Sequence, residues 1–543
     1  MIRKRTNDRS TNRAQCWSLW RTCTNLRLLK QIHASILVKG FNSSPGALRE
    51  LIFASAIAIP GTIDYAHQLF AQITGPDTFM CNTMMRGAAQ SQNPLRTVSV
   101  YNVMARSGAK PDNFTFPFLV KACTRLQWRK MGSCVHGMVV RFGFGGNNFV
   151  RNTVLYFHAN CGDLGVARSI FDNMVEKDVV ACSALIAGYA RRGNLNVARQ
   201  LFVEMPVKDL VSWNVMITGY AKRGKMGSAR ELFEQVPKRD VVTWNTMIAG
   251  YVNVGQNDQA LKLFEEMRNA GEHPDEVTML SLLSACSQLG DLETGKSLHF
   301  SIFQVNKREF GVLLGNAVIS MYAKCGSIKG AVEVFQGMKE KDVTSWNSVI
   351  GGLARNGHAE ESIRLFEEML RLGKITPDEI TFVQVLIACG HAGKVDKGRS
   401  YFDMMINKYG IVPNMKHYGC IVDMLGRAGL LTEAFQFIDK MNVEPNGIIW
   451  RTLLGACALH GNIEIGKRAT ERLMKLRRDE SGDYVLLSNM YAAVGEWGGF
   501  EKVRQVMDDY GVWKEPGYSI VEPDNKAVIK LRSRSRSSHV PES

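Results

Sequence analysis

Small polar side chains that can donate and accept hydrogen bonds recur at one position along much of this chain. The position is occupied by Asn82, Pro117, Asn152, Ser183, Asn214, Asn245, Leu280, Asn316, Asn347, Val383, Gly419 and Arg451. By subtraction, successive members lie 35, 35, 31, 31, 31, 35, 36, 31, 36, 36 and 32 residues apart. Such a side chain can bind a polar ligand or satisfy backbone groups at a turn, and its type alone does not choose between these roles.

The elements that carry these residues can be read from residues 241–275. Apolar residues there fall at i, i+4 and i+7 in two series, Trp244, Ile248 and Tyr251 and then Ala260, Phe264 and Met267, which predicts two short amphipathic helices. We expect Gly255 to end the first helix, and Asn257 or Asp258 to cap the second. One such hairpin cannot bury its apolar faces alone, so the copies must stack into an α-solenoid.

The copies also share sequence motifs. Examples are KDLVSWNVMITGYAKRG at 208–224, RDVVTWNTMIAGYVNVG at 239–255 and KDVTSWNSVIGGLARNG at 341–357, with MYAKCG and DMLGRAGL further on. The unit resembles the pentatricopeptide repeat, and the alternating lengths near 35, 36 and 31 resemble the plant PLS subfamily. The resemblance covers nearly the whole chain. It implies an all-α fold, a right-handed superhelix of stacked helix-turn-helix repeats.

The same resemblance divides the chain into segments. Eleven repeats of types P, L, S, S, S, P, L, S, P, L and S are placed at 78–112, 113–147, 148–178, 179–209, 210–240, 241–275, 276–311, 312–342, 343–378, 379–414 and 415–446. Residues 15–77 resemble degenerate repeats, and residues 447–522 resemble the two E motifs that close many PLS proteins. Residues 1–14 form a basic leader, and residues 523–543 form a basic Arg/Ser tail that we expect to be disordered.

Composition limits the kind of partner. The formal net charge of +16 and the pI near 9.3 favour a polyanion. The twelve cysteines contain no Cys-x-x-Cys pair, which argues against a zinc ribbon or a thioredoxin-like site. Several cysteines share one repeat position, at Cys123, Cys286, Cys389 and Cys457, and are interpreted as small buried residues. No apolar run is long enough to span a membrane.

In the family that the chain resembles, base identity is set by the fifth residue of a repeat together with its last residue. Carried over here, the pairs are Asn82 with Asp112, Asn152 with Asp178, Ser183 with Asp209, Asn214 with Asp240, Asn245 with Asp275, Asn316 with Asp342, and Asn347 with Asp378. The resemblance implies that an Asn/Asp pair prefers uracil and tolerates cytosine, and that a Ser/Asp pair prefers guanine. The Asp carboxylate would orient the Asn amide.

The second residue of each repeat is mostly apolar, and in the family it sandwiches the bases. These residues are Phe79, Phe149, Val180, Val211, Val242, Val277, Leu313 and Ile380. Thr344 and Lys416 depart from this pattern.

Some repeats lack a readable pair. The L-type repeats carry Pro117 with Asn147, Leu280 with Gly311 and Val383 with Asn414, and the last S-type repeat carries Gly419 with Asn446. Apolar groups cannot hydrogen-bond a base edge, so we interpret these repeats as spacers or weak readers. The predicted RNA word, from 5′ to 3′, is U-N-U-G-U-U-N-U-U-N-N. The alternative reading is structural, because Asp is a common N-cap and Asn can hold a turn, although capping alone would accept Ser, Thr or Gly as readily.

Two catalytic patterns are rejected. Gly290–Ser297 matches the phosphate-binding pattern G-x-x-x-x-G-K-S, but helical patterns flank it and sister turns at 393–400 and 461–468 resemble it. His358-Ala359-Glu360 imitates the His-x-Glu of zinc deaminases without the Cys-x-x-Cys that completes the ligand set. We therefore expect no enzyme activity, no cofactor, no metal and no small-molecule substrate.

The resemblance implies a specificity factor for organellar cytidine-to-uridine RNA editing. Its partners would be single-stranded organellar RNA and a deaminase-bearing DYW-type protein of the same family, or other editing-complex proteins. The basic leader suits a transit peptide, with the mitochondrion as the expected organelle and the chloroplast as the alternative. An organellar RNA splicing, processing or stability factor is the second hypothesis. A protein-binding helical scaffold is the third, but such tetratricopeptide arrays keep a steady 34-residue period.

Overall fold

The computed structural model describes residues 24–40, 44–305, 311–476 and 481–512. Regular structure within these ranges is entirely helical, with 29 α-helices. They divide into two units, residues 1–275 and 276–543. The leader 1–14, the tail 523–543 and residues 513–522 of the E region lie outside the described residues.

The first unit contains fifteen described α-helices, numbered in chain order. They are α1 (Leu26–Val38), α2 (Pro45–Phe53), α3 (Ile63–Phe70), α4 (Thr78–Gln90), α5 (Arg96–Arg106), α6 (Thr115–Arg125), α7 (Arg129–Arg141), α8 (Asn148–Asn160), α9 (Leu164–Asp172), α10 (Val179–Arg192), α11 (Leu195–Glu204), α12 (Leu210–Ala221), α13 (Met226–Gln235), α14 (Val241–Asn253) and α15 (Asn257–Asn269). A π-helical turn, Ala54–Ala58, continues α2, and a 3₁₀ turn, Phe144–Gly146, follows α7.

The second unit contains the remaining fourteen. They are α16 (Glu276–Leu289), α17 (Leu292–Val305), α18 (Val312–Lys324), α19 (Ile328–Gly337), α20 (Val343–Arg355), α21 (Ala359–Leu372), α22 (Glu379–His391), α23 (Val395–Asn407), α24 (Met415–Arg427), α25 (Leu431–Asp439), α26 (Gly447–His460), α27 (Ile463–Leu476), α28 (Ser481–Ala493) and α29 (Trp497–Asp509).

Within each unit the packing follows one rule. The first helix of a repeat packs against the second helix of the same repeat and against the first helix of the next repeat. The predicted all-α solenoid of stacked helical hairpins is therefore confirmed.

Aspartates begin many of the first helices. The carboxylates of Asp178, Asp240 and Asp378 each accept a hydrogen bond from the backbone N–H three residues on, which satisfies a donor that the helix leaves free. Some second helices begin in the same way, as where the Asp163 carboxylate caps α9, but α15 does not. The prediction that Asn257 or Asp258 caps α15 is wrong, because Gln256 occupies the N-cap position and Asn257 is the first residue of the helix.

Apolar contacts between successive hairpins form the core. Trp213 meets Phe202 of the preceding hairpin edge to face, with ring centroids 4.8 Å apart. The same arrangement joins Trp346 to Phe335 at 5.0 Å. Such aromatic pairs add to the stability that burial alone provides.

The recurring cysteines also lie in the core. Cys123, Cys286, Cys389 and Cys457 are fully buried and free of disulfides, which confirms their interpretation as small packing residues. Burial raises the pKa of the Cys286 and Cys389 thiols to about 12, so these thiols stay neutral and unreactive.

Candidate nucleic-acid interface

The structure brings together most of the predicted residue pairs. The Asn amide nitrogen donates to the Asp carboxylate at 2.8 Å for Asn82 and Asp112, 2.6 Å for Asn152 and Asp178, 2.8 Å for Asn245 and Asp275, 3.0 Å for Asn316 and Asp342, and 3.0 Å for Asn347 and Asp378. Asn214 likewise hydrogen-bonds to Asp240. Each bond joins the fifth residue of a repeat to the last residue of that repeat, which directly precedes the next repeat.

The packing of first helices explains this geometry. The Asn lies in the second turn of one first helix, while the Asp lies at the start of the neighbouring one. Asp342 shows both roles, because it is the N-cap of α20 and its Oδ1 accepts from the backbone N–H of Ser345 at 2.8 Å and from the amide of Asn316 at 3.0 Å. Capping and side-chain orientation are therefore combined in one carboxylate rather than being alternatives.

These hydrogen bonds affect the charge of the aspartates. Burial by itself would raise the pKa of Asp342, but hydrogen bonds from the Asn316 amide and from the backbone and hydroxyl of Ser345 outweigh it and lower the pKa. The same balance lowers the pKa of Asp240 and of Asp378. The three carboxylates are therefore ionised at neutral pH and act only as acceptors.

The Ser183 and Asp209 pair is arranged differently. The Ser183 hydroxyl is buried and has no hydrogen-bond partner among the described residues. Asp209 caps α12 through the backbone N–H of Ser212 at 2.8 Å. The shorter serine side chain therefore leaves its hydroxyl unengaged within the described part of the chain.

The second residue of each repeat faces solvent although it is apolar. The eight predicted base-sandwiching residues are Phe79, Phe149, Val180, Val211, Val242, Val277, Leu313 and Ile380, and each exposes between 50% and 63% of its surface. Each precedes the fifth residue of its repeat by three positions, which places the two on one face of the helix. In six of these eight repeats the apolar side chain therefore lies beside a polar fifth residue, whereas Val277 and Ile380 precede Leu280 and Val383.

One residue of this row was missed in the sequence. Phe114 is the second residue of the first L-type repeat and is 51% exposed. Its ring centroid lies 6.1 Å from that of Phe149 in the next repeat. Its position in the repeat is the signal that identifies it. The row of exposed apolar residues therefore continues through a repeat that has no Asn/Asp pair.

Repeats without a readable pair use the same positions for packing. Pro117 is buried within α6, and Asn147 caps α8 through the backbone N–H of Val150. Asn414 caps α24, and its amide donates to Glu379 at 3.2 Å. In the E region the counterpart of the Asn/Asp pair is an ion pair, in which Arg451 Nε and Nη2 lie 2.8 and 3.0 Å from the two carboxylate oxygens of Asp483.

The structure also explains the two misleading motifs. Gly290 has a φ of +73° in the turn between α16 and α17, and Lys296 lies inside α17 with its ammonium on Glu293. His358 immediately precedes α21, and Glu360 pairs with Lys394. Neither is the site that its motif suggests. No described group of three or more His, Cys, Asp or Glu residues could hold a metal ion, and no described helix is long and apolar enough to cross a membrane.

Family comparisons agree with this architecture. The PPR repeat family matches residues 76–125, 239–288 and 341–391, and the PPR repeat matches 180–210, 211–241, 316–343, 380–409 and 416–444. The E motif matches residues 460–522. These matches fall on the repeats and on the carboxyl-terminal helical pairs described above.

Relatives and a solved structure agree as well. Pentatricopeptide repeat-containing protein At5g15300 of Arabidopsis thaliana is 57% identical and covers 100% of this chain and 99% of its own length. At1g59720 of the same organism, named chloroplastic/mitochondrial, is 34% identical over 93% of this chain and 72% of its own. The crystal structure of pentatricopeptide repeat protein PPR10 with an 18-nt psaJ RNA element has a TM-score of 0.56 at 18% identity, covering 92% of this chain and 87% of that one. The chain therefore belongs to the pentatricopeptide repeat family and carries the E motif of its E-type members.

Proposed function

We propose that this protein binds single-stranded RNA sequence-specifically, with one nucleotide facing each repeat between residues 78 and 446. The observation that carries the proposal is the repeated juxtaposition of an Asp-bound Asn amide with an exposed apolar side chain three residues earlier, as in the repeats of Asn82, Asn152, Asn245 and Asn316. A stacked base needs an apolar platform and a polar group at its edge, and each such repeat offers both.

The chemistry of the pair supports a preference for uracil. The Asn347 amide has two N–H groups, and one of them is held by Asp378. The second can donate to a carbonyl oxygen of a base. Uracil has two such oxygens, O2 and O4, whereas cytosine keeps O2 and carries an amino donor in place of O4. A donor oriented by an ionised carboxylate therefore prefers uracil and tolerates cytosine.

The solution test uses the full chain and two RNAs of equal length and composition. One contains U-N-U-G-U-U-N-U-U-N-N, and the other has the same nucleotides in scrambled order. We expect binding to the first to be at least about tenfold tighter at moderate salt, because mismatched nucleotides lose both hydrogen bonds and fit. Equal affinity for the two RNAs would reject base reading and would favour a protein-binding scaffold or non-specific attraction by the net charge of +16.

The same proposal extends to editing. The chain would be the specificity factor for organellar cytidine-to-uridine editing, and the E region would recruit a DYW-type partner or another editing-complex protein that carries the deaminase. That partner would supply the zinc-activated water and the proton-shuttling glutamate, so this chain would not itself be an enzyme. The match to the E motif supports recruitment.

A relative named chloroplastic/mitochondrial and the basic leader support an organelle, with the mitochondrion favoured over the chloroplast. The second candidate function applies if the protein binds RNA sequence-specifically but has no effect on editing. It would then act in splicing, processing or stability of an organellar transcript. Removal of residues 447–543 distinguishes the editing role from the role in splicing, processing or stability. It should abolish an editing function and leave masking of RNA by the repeats intact.

A further inference from the structure

The Asn side chains of the candidate interface fall into two classes by what their carbonyl oxygens contact. In Asn152, Asn214 and Asn316 this Oδ1 is buried and has no hydrogen-bond partner among the described residues. In Asn82 and Asn347 it accepts a hydrogen bond from a threonine hydroxyl. The amide nitrogen is bound to an aspartate in both classes, so the difference is confined to the oxygen.

The threonine comes from the following repeat. Thr115 Oγ1 lies 2.9 Å from Asn82 Oδ1, and Thr381 Oγ1 lies 2.6 Å from Asn347 Oδ1. Both threonines are fully buried, and each is the third residue of an L-type repeat. The oxygens that accept these bonds therefore belong to P-type repeats, and the unpartnered oxygens belong to S-type repeats.

A hydroxyl at the third position of the following repeat does not by itself lead to a hydrogen bond with the Asn oxygen. Thr243 is the third residue of the repeat that follows the repeat of Asn214. Its hydroxyl lies 2.6 Å from Asp240 Oδ1, and Asn214 Oδ1 has no partner within the described structure. Ser345 follows Asn316 and likewise bonds to Asp342. At the two L-type junctions the threonine hydroxyl lies within hydrogen-bond distance of both the Asn oxygen and the Asp carboxylate, at 2.9 and 3.1 Å for Thr115 and at 2.6 and 2.9 Å for Thr381. At the junctions of Thr243 and Ser345 the hydroxyl reaches the Asp carboxylate, and the Asn oxygen has no partner among the described residues.

From this difference we infer that Thr115 and Thr381 are specificity-determining positioning residues, which fix the Asn82 and Asn347 amides at both ends. This inference rests on the proposed RNA-reading function. An amide held at its oxygen and at one N–H can present only its second N–H, in one direction. This N–H can donate to O4 of uracil. In cytosine it would face the amino group, which is also a donor and cannot accept the hydrogen bond.

The S-type readers lack the second restraint. A buried acceptor without a partner is unfavourable, so the Asn214 amide can rotate to gain one, and rotation accommodates cytosine. We therefore expect the first and ninth nucleotides of the bound word to discriminate uracil from cytosine more strictly than the third, fifth and eighth.

The decisive experiment compares two identical substitutions in the full chain. Thr381→Val and Thr243→Val each remove one buried hydroxyl without changing side-chain volume greatly, but only the first removes a bond to an Asn oxygen. The measured quantity is the ratio of dissociation constants for RNA with cytosine or uracil, at nucleotide 9 for Thr381→Val and at nucleotide 5 for Thr243→Val. Thr381→Ser, which keeps the hydroxyl, is the rescue variant.

We expect Thr381→Val to lower the cytosine-to-uracil ratio at nucleotide 9 by about fivefold, the size of one lost hydrogen bond. Thr243→Val should leave the ratio at nucleotide 5 unchanged, and Thr381→Ser should keep the wild-type ratio. A general loss of stability would weaken binding to both RNAs and leave the ratio unaltered, which would overturn the inference.

Equal changes in the two valine variants would also overturn it. So would a wild-type chain whose uracil discrimination is the same at nucleotides 5 and 9. A wild-type chain that does not prefer the predicted word over the scrambled RNA would reject the proposed function itself. That result is distinguishable, because it appears before any substitution is made.

Discussion

Asp378 follows Asn347 by 31 residues, yet its carboxylate oxygen lies 3.0 Å from the Asn347 amide nitrogen. The bond joins α20 to the N-cap of α22, so its length depends on the packing of two first helices as well as on the two side chains. A residue pair that we propose to read a base is therefore also part of the repeat junction.

The identity of the fifth residue should determine the preferred base. Asn347→Ser creates the combination that Ser183 and Asp209 already form, for which guanine is the expected base. We predict that nucleotide 9 changes its preference from uracil to guanine by about tenfold, measured as a ratio of dissociation constants. Nucleotide 8, which faces the unaltered Asn316, is the internal control. Loss of affinity for every base at nucleotide 9, without a new preference, would show that the pair is structural.

The exposed second residues should contribute affinity without base preference. Phe149→Ala removes an aromatic platform that is half exposed, and stacking of a base on such a side chain contributes about 1–3 kcal/mol. We expect weaker binding of any RNA by an amount in that range and little change in melting temperature. Val203→Ala alters an apolar residue on the second helix α11 that is more exposed than Phe149 and should have no effect. Comparable losses for both variants would argue against a base platform.

The charge of Asp378 should make part of the stability pH-dependent. Burial would raise the pKa of this carboxyl, but bonds from Thr381 and Asn347 lower it overall. A lowered folded-state pKa gives stability that is fully present above the unfolded value of about 3.9 and is lost as the pH falls through the folded value. Asp378→Asn keeps a capping side chain without the charge. Its melting temperature should therefore lie below that of the wild type at pH 7, and the gap should narrow as the pH falls below about 4. A gap that does not vary with pH would contradict this explanation.

The ion pair in the E region should stabilise that region without affecting RNA binding. Arg451 makes two parallel hydrogen bonds to the buried Asp483. We expect Arg451→Ala to lower the local stability of residues 447–512 by about 2 kcal/mol, because charged hydrogen bonds are lost and a buried carboxylate is left behind. Amide hydrogen exchange within α26 and α28 measures this. Arg451→Lys keeps the charge but cannot make both hydrogen bonds. The local stability of its residues 447–512 should therefore lie between that of the wild type and that of Arg451→Ala. Unchanged exchange in both variants would show that the pair contributes nothing.

Local patterns were sufficient to predict the helices, whereas the pairing of the fifth residue of a repeat with its last residue came from the family resemblance. Trp244, Ile248 and Tyr251 define the buried face of α14, and the repeat spacing places Asp275 beside Asn245. Family resemblance supplied the assignment of bases to these pairs. The row of exposed apolar residues followed from repeat position as well, and Phe114 could have been found in the same way.

Contacts that depend on the distance between repeats could not be predicted from the sequence. Thr243 and Thr381 are the same residue type at the same repeat position and both hydroxyls lie near an Asp carboxylate, but only that of Thr381 also reaches an Asn oxygen. The start of α15 at Asn257 was also missed, because a polar residue near a turn can be the cap or the first residue of the helix. In both cases packing between helices, rather than local preference, selects the outcome.

The most direct measurement is sequencing of mitochondrial and chloroplast transcripts from plants that lack this protein. The editing proposal predicts that one or a few cytidines go unedited, each preceded closely by a sequence that matches U-N-U-G-U-U-N-U-U-N-N. Reintroducing the full chain should restore editing, and a chain truncated before Gly447 should bind the RNA without restoring it. Normal editing of every cytidine, with a transcript left unspliced or missing, would contradict the editing role and leave only the RNA reader.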